Sequence, residues 1–347
     1  MNILVTGAGG LIGSESVRFF AQKGATVTGI DNNKRRFFFG EKGDVTPNIN
    51  SLSDIASFSN ISADITDRNA LSKIFEERGP FDLIIHTAAQ PSHDWARNNP
   101  RLDFDINANR TQNLLEEFRT KSPDGVFIFT STNKVYGDLP NTLPIVEEET
   151  RYDFDPKSKW ADGIDETLSI DQSTHSLFGV SKAAADLLVQ EYGRYFGLKT
   201  VCFRGGCLTG PQHAAVELHG YLAYIVNCSI EKRPYTIFGY KGKQVRDQIH
   251  SIDVVNCFWQ FYKNPRKGGT VYNLGGTKQN SMSILETIKI LEEKFDSKLN
   301  YTYNDQNRVG DHICYYTNMG KFKTDFPEWR LTKSCEDIIA EIFENKK

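Results

Sequence analysis

The chain has 347 residues, of which 39% are apolar and 24% charged, an ordinary globular balance. Its 41 basic and 44 acidic side chains leave a formal net charge of −3, so no basic field invites nucleic acid or an anionic membrane surface. No apolar run reaches the roughly 20 residues of a membrane span. Six cysteines, at 202, 207, 228, 257, 314 and 335, are scattered with no C-x-x-C pair. This argues against a disulfide framework or a zinc site and for a reduced, cytoplasmic protein that binds no metal. Met1-Asn2-Ile3-Leu4-Val5 lacks the basic start of a signal peptide.

Residues 2–6 predict a short buried strand, followed by glycines and a helix over Ser14–Lys23. Thr26–Ile30 reads as a second strand that ends at Asp31. A helix is expected near 66–78, a buried strand at Leu83-Ile84-Ile85-His86, a helix over 105–119 and a buried strand at Val126-Phe127-Ile128-Phe129. The connection 139–177 is rich in Asp, Glu and Thr, and structureless segments this long are usually functional. It is expected to cap the substrate, because it runs directly into the segment around Phe178, ahead of the helix predicted at 180–196.

After about residue 205 the pattern loosens. Strands at Tyr235–Phe238 and Val271–Leu274 mix with helices near 252–263, 283–295 and 334–345. The alternation predicts an α/β fold: a Rossmann-type doubly wound parallel sheet over 1–205, and a smaller mixed α/β lobe over 206–347 interleaved with it. The crevice between the lobes is the expected ligand site.

Gly7-Ala8-Gly9-Gly10-Leu11-Ile12-Gly13 fits G-x-x-G-x-x-G after a strand and at the start of a helix. Such glycines let the backbone approach a pyrophosphate, with Leu11 and Ile12 opening the helix whose free N–H groups favour negative charge. Asp31, with Asn32 beside it, can accept both ribose hydroxyls and would repel a 2′-phosphate. NAD is therefore expected rather than NADP, although Lys34-Arg35-Arg36 lies close by. Asp64-Ile65 is placed near the adenine. Thr87-Ala88-Ala89-Gln90, whose small residues let the chain pass beside a dinucleotide, joins the cofactor set with Asn107 and Thr130.

Ser176-Leu177-Phe178-Gly179-Val180-Ser181-Lys182 puts Phe178 and Lys182 four residues apart, on one helical face. Together with Gly7/Gly10/Gly13 and Thr130-Ser131-Thr132-Asn133-Lys134-Val135-Tyr136-Gly137-Asp138, this spacing resembles the extended short-chain dehydrogenase/reductase family, in its nucleotide-sugar epimerase and dehydratase group. Within that group it looks most like the CDP-sugar 2-epimerases. The likeness spans nearly the whole chain. It includes Glu149-Thr150-Arg151-Tyr152, Gly242-Lys243-Gln244-Val245-Arg246-Asp247 and Asn273-Leu274-Gly275-Gly276-Thr277.

The resemblance implies tightly bound NAD, a nucleotide-diphosphate sugar (a CDP-sugar in this branch) and inversion at C2 through a transient keto sugar, within polysaccharide biosynthesis. It implies that Thr132 hydrogen-bonds the substrate oxygen. Lys182 would hold the nicotinamide ribose and lower the pKa of a neighbouring Tyr. The chain departs from the pattern at Phe178, where the family has that Tyr, and at Leu177, where Pro is common. Sugar 4,6-dehydratases carry an acidic pair after the Thr; here Asn133 and Lys134 stand there, which disfavours dehydration.

At the substrate end Arg246, followed by His250 and Asp253, resembles a diphosphate grip, since an Arg fork can hold phosphate bidentately. Arg308-Val309-Gly310-Asp311 resembles a second such element, with Arg308 on phosphate and Asp311 on ribose. Thr236–Tyr240, with Phe238, would flank the base. Cys207 is kept as a candidate for catalysis and sugar contact, although a buried Cys is usually an inert hydrophobe. His93 and Trp95 point toward the same crevice, and His175 and His213 are weaker candidates. Leu114, Leu115 and Phe118, with Leu187, Leu188 and Tyr192, predict two outer helices. In relatives these pair across a two-fold axis, giving a homodimer or a dimer of dimers. The alternatives are a net oxidoreductase on a nucleotide sugar and a binding protein silenced by Phe178.

Overall fold

The computed structural model describes residues 1–217, 220–307 and 310–345. Its spine is a seven-stranded sheet in the spatial order Thr270–Leu274, Lys199–Gly205, Val126–Thr132, Leu83–His86, Asn2–Thr6, Thr26–Ile30 and Phe58–Ile61. Every pairing in it is parallel. Parallel strands covered on both faces need unbroken apolar runs, and Ile3-Leu4-Val5 and Leu83-Ile84-Ile85 are wholly buried. On one face Val17 and Phe20 of helix Leu11–Gln22 share a core with Phe258 and Phe261 of helix Ser251–Lys263. On the other face helices Arg68–Arg78, Arg110–Lys121 and Leu177–Phe196 supply Ile74, Leu114, Phe118, Ala185 and Val189. Strand order reverses between Asn2–Thr6 and Leu83–His86, so a crevice opens beyond the carboxyl ends of those strands.

Two elements differ from expectation. The helix expected over 105–119 begins as a wider π-type turn at Asp105–Asn109, and the α-helix is Arg110–Lys121. Its Leu114, Leu115 and Phe118 face the sheet and are fully buried, so these apolar positions of the predicted outer helix serve the core and are not free to meet a second copy. Strand Thr270–Leu274 is the edge of the main sheet and not part of the second lobe. It pairs with Lys199–Gly205, and Tyr272 stacks on Phe203 with ring centroids 5.9 Å apart.

The remaining lobe is built on strand Val245–His250, flanked by Cys207–Thr209, Ser281–Ser283 and Cys314–Tyr315. Helices Tyr221–Ile230, Ile284–Phe295 and Cys335–Glu344 close a separate core around Ile225, Leu291 and Ile338. The connection 139–177 holds a small antiparallel pair, Ile145–Glu147 with Tyr152–Phe154. It straps the second lobe: Tyr152 N donates to Lys243 O (2.9 Å), the Tyr316 hydroxyl donates to Asp153 (2.5 Å), and Lys278 pairs with Asp153 (3.2 Å).

The elements that carry the predicted reaction centre meet at one buried carboxylate. Asp186, in the helix one turn after Lys182, receives Arg204 through both oxygens (2.9 and 3.1 Å) and the Ser131 hydroxyl (2.5 Å). The side chains of Arg204 and Asp186 are 6% and 1% exposed, and Arg204 Nη1 also donates to the Tyr136 hydroxyl (3.2 Å). Removing one partner of a buried pair leaves an uncompensated charge. Asp186→Ala should lower the unfolding free energy in urea by about 3–5 kcal/mol; a loss under about 1 kcal/mol would show that the bridge does not hold these elements together.

Candidate active site

A cavity of about 480 Å³ lies between the lobes, over the carboxyl ends of the main strands. Gly7, Gly10, Leu11, Ile12, Asp31, Asn32, Asp64, Ile65, Thr87, Ala88, Ala89 and Thr130 line its first-lobe side. The helix that opens there has Gly10 as its cap and no side chain on its first N–H groups. Gly7 is in the left-handed region at φ +73°, and a Cβ there would come within 2.8 Å of Ala88 N. Gly13 lies outside the lining; a Cβ on it would strike Gly7 O at 2.0 Å, so its part is to let helix and loop close up.

Asp31 accepts from Gly9 N (2.9 Å) and Asn33 N (2.8 Å). Burial raises its pKa, while those two donors and Arg35 work to lower it. Asp64 also lines the cavity; burial opposes its charge, but Lys34 (2.7 Å), Thr66 and Arg110 (3.1 Å) hold its carboxyl well below the usual range. An uncapped helix start, a cradle that a Cβ would fill and a half-buried carboxylate at the end of the second strand fit NAD.

At the reaction centre Thr130, Thr132, Asn133, Lys134, Phe178 and Lys182 line the cavity together. Lys182 is buried, and its ammonium donates to Thr130 O (2.8 Å) beside the Phe129 ring, 4.1 Å away. Burial lowers its pKa to about 8, against the pull of Asp186. Thr132 Oγ1 accepts from Lys134 N (3.2 Å), and Lys134 Nζ donates to Gly310 O (2.8 Å). Phe178 is only 6% exposed and meets the His93 ring edge-on, with centroids 4.9 Å apart. Cys207 lines the cavity from the second lobe; burial pushes its thiol up to about 11, so it stays protonated at neutral pH.

Gln90 and Asn107 are placed beneath the cavity and not in its wall. The Gln90 side chain donates to Asp103 (2.7 Å), and its backbone carbonyl accepts from Asn107 Nδ2 (3.0 Å), which also reaches Ser181 (3.0 Å). His175 is turned away, onto the backbone oxygens of Val135 and Ser173. His213 lines the cofactor side, with burial holding its pKa down to about 3. Trp95 packs against Phe38 with centroids 4.8 Å apart. No residue of 139–177 lines the cavity, so the cap expected there is a strap on the second lobe.

At the substrate end Phe238, Arg246 and Asp311 line the cavity. Arg246 is buried, and its guanidinium reaches Asp311 and His312 O. Arg308 lies outside the described residues. His250 and Asp253 are structural: the first caps helix Ser251–Lys263, its Nδ1 accepting from Ile252 N (3.0 Å), and the second accepts from Thr332 N (3.1 Å). Sequence reasoning missed Gln244, Gln248 and Tyr221. The signal was alternation: residues 244, 246 and 248 share one face along the strand. Gln248 Nε2 donates to the Tyr221 hydroxyl (3.0 Å) and Gln244 Nε2 to Phe238 O (3.2 Å).

The NAD dependent epimerase/dehydratase family matches residues 3–275, and the chain belongs to it. It is therefore an enzyme of the short-chain dehydrogenase type, with NAD as its cofactor. The chain is 33% identical over 99% of its length to the CDP-paratose 2-epimerase of Salmonella typhi, covering 98% of that protein. It is 28% identical over 99% of its length to the dTDP-glucose 4,6-dehydratase of Salmonella typhimurium, covering 92% of it. The structure of UDP-glucuronic acid 4-epimerase from Bacillus cereus with UDP-glucuronic acid and NAD superposes with a TM-score of 0.79 at 26% identity, over 99% of this chain and 98% of that one.

The Asp31 geometry gives a direct test. Asp31→Ala removes a charged acceptor worth about 1.5–3 kcal/mol. NAD binding, measured by fluorescence titration, should weaken by at least roughly tenfold, and the preference over NADP should shrink. A wild-type protein that prefers NADP would contradict the assignment.

Proposed function

We propose that the protein epimerises a nucleoside-diphosphate sugar, most specifically at C2 of a CDP-hexose, through a transient keto sugar. The observation that carries this reading is the character of the two residues next to Thr132 in the cavity wall. Asn133 is no acid, and the Lys134 ammonium is engaged by Gly310 O at 2.8 Å. Neither is set to protonate a leaving hydroxyl, as dehydration requires. The full-length likeness to a CDP-sugar 2-epimerase supports the same choice.

In this reading Gly7, Gly10, Asp31 and the helix start at Leu11 hold the cofactor, which supplies reversible hydride acceptance. Lys182, with its pKa lowered to about 8, presents a cation to the ribose side of the reaction centre. The Thr132 hydroxyl orients the substrate oxygen. Arg246, already held by Asp311, offers its fork to the diphosphate, and Phe238 covers the base. The cycle leaves the cofactor as it began, so tight retention suits it. A net oxidoreductase would need cofactor exchange.

Two measurements test the proposal. Purified protein should retain NAD through dialysis, and among CDP, UDP, GDP and dTDP, CDP should raise the melting temperature most. A hundredfold excess over Kd stabilises by about 2.7 kcal/mol. Retained NAD with no turnover of any nucleotide sugar would favour the silent binding protein that Phe178 suggests.

We also propose a homodimer through helix Leu177–Phe196. Leu177, Val180 and Leu187 fall on one stripe and are 46%, 45% and 47% exposed. A helical stripe this apolar is normally covered. Light scattering at micromolar concentration should give twice 39.3 kDa, and Leu187→Glu should shift the protein toward monomer. A monomeric wild type would sink the dimer.

A further inference from the structure

The reaction proposed above needs a group that takes a proton from the sugar hydroxyl and gives it back, and Phe178 has none to offer. Five titratable side chains of the cavity wall are already engaged or held in one protonation state. Lys182 and Lys134 are cations already donating to backbone oxygens. The Cys207 thiol is held protonated by burial. Arg246 and Asp311 are paired with each other. An imidazole is the side chain whose ordinary range straddles neutral pH. His93 lies in the cavity wall with its ring edge-on to Phe178, centroids 4.9 Å apart. Gly310 backs its Nδ1 edge, where a Cβ would come to 3.6 Å.

The placement of His93 is fixed from behind. Ser92 caps the short helix His93–Asn98, its hydroxyl accepting from Trp95 N (3.2 Å), and its own N–H donates to Gln90 Oε1. Gln90 Nε2 returns to Ser92 O (2.9 Å) and to Asp103 (2.7 Å). Asn107 then joins Gln90 to Ser181 (3.0 Å), whose hydroxyl donates to Phe178 O (3.0 Å). Gln90, Asp103, Asn107 and Ser181 are all buried. This network therefore ties the turn that carries His93 to the helix turn that carries Phe178 and Lys182. The Gln90 and Asn107 amides are each committed through both oxygen and nitrogen, which restrains the turn, and a proton carrier must be held to within hydrogen-bond reach.

We infer that His93 is the proton carrier of this enzyme, acting from beside Phe178 in place of the hydroxyl that position 178 lacks. The inference rests on the epimerase reading. In the forward half-reaction the sugar O–H and C–H bonds break and a C=O bond forms; the proton goes to an imidazole nitrogen of His93 and the hydride to bound NAD. In the reverse half-reaction the imidazolium returns the proton to the same oxygen as the hydride returns to carbon. Gln90 and Asn107 are positioning residues, acting through the backbone of Ser92, the residue before His93.

The test uses the NAD-loaded protein with CDP-glucose. His93→Gln and His93→Ala should slow turnover by roughly 10²–10⁴-fold. NAD content and the melting shift caused by CDP should stay as in the parent. Adding Phe178→Tyr to His93→Ala should restore at least roughly tenfold of the loss, a rescue that a structural defect would not show. In ¹⁵N spectra of the parent, the His93 ring signals should move when CDP-glucose binds. A His93→Gln protein within threefold of the parent, ring signals that do not move, or a failed rescue would overturn the assignment. If His93→Ala loses NAD or the CDP shift, His93→Gln decides. A parent with no turnover refutes the epimerase reading, and the ring-signal measurement, which needs none, still decides whether substrate meets His93.

Discussion

Asp186 is the point through which three separate stretches of chain are held in register. It comes from helix Leu177–Phe196, Ser131 from strand Val126–Thr132 and Arg204 from strand Lys199–Gly205. Each partner stands close in sequence to a residue of the reaction centre: Lys182 before Asp186, Thr130 and Thr132 either side of Ser131, and Cys207 after Arg204. A buried ion pair is weak evidence of net stabilisation, because desolvating two charges offsets their attraction. Its consequence here is geometric. With both carboxylate oxygens occupied by a planar fork, strand Lys199–Gly205 cannot slide against the helix without stranding a charge, nor strand Val126–Thr132 without losing the buried Ser131 bond. Misplacement by about 1 Å can cost on the order of a hundredfold in rate, so a rigid joint directly behind the site has a catalytic meaning.

The cavity is graded along strand Val245–His250. Gln244 sits beside Phe238, Arg246 beside Asp311, and Gln248 opposite Cys207, where the two strands pair. Among the described residues the Oε1 atoms of Gln244 and Gln248 are buried without a hydrogen-bond partner, while each Nε2 is committed to the protein. Two oriented acceptors with a guanidinium between them suit a long ligand with donors near both ends and an anionic middle. A nucleoside-diphosphate sugar has that shape. Buried acceptors left open in this way are costly unless a ligand meets them.

Much of this was legible in the sequence because parallel strands and glycine turns leave strong local marks. The strands at 2–6, 26–30, 83–86 and 126–129, the Gly7–Gly13 turn and the Phe178/Lys182 spacing required no tertiary information. What was not legible depended on contacts distant in sequence. Gln90 and Asn107 read as cofactor residues because they flank the site, yet their amides are consumed by Asp103 and Ser181. Leu114, Leu115 and Phe118 read as the apolar positions of an outer helix that meets its copy, but the helix turns them onto the sheet. Thr270–Leu274 joins the main sheet because Tyr272 packs against Phe203, about seventy residues away in the chain. The acidic connection 139–177 gave no hint that Asp153 would be spent on Lys278 and Tyr316.

In the proposed cycle, carbon-bound hydrogen leaves the sugar and returns to the same carbon, on the opposite face, without meeting solvent. The most direct measurement traces CDP-glucose deuterated at C2, incubated with NAD-loaded protein in ordinary water. The expected product is a C2 epimer that retains its deuterium, with no net reduction of NAD. Loss of the label to solvent, a dehydrated product or stoichiometric conversion of NAD to NADH would contradict the cycle.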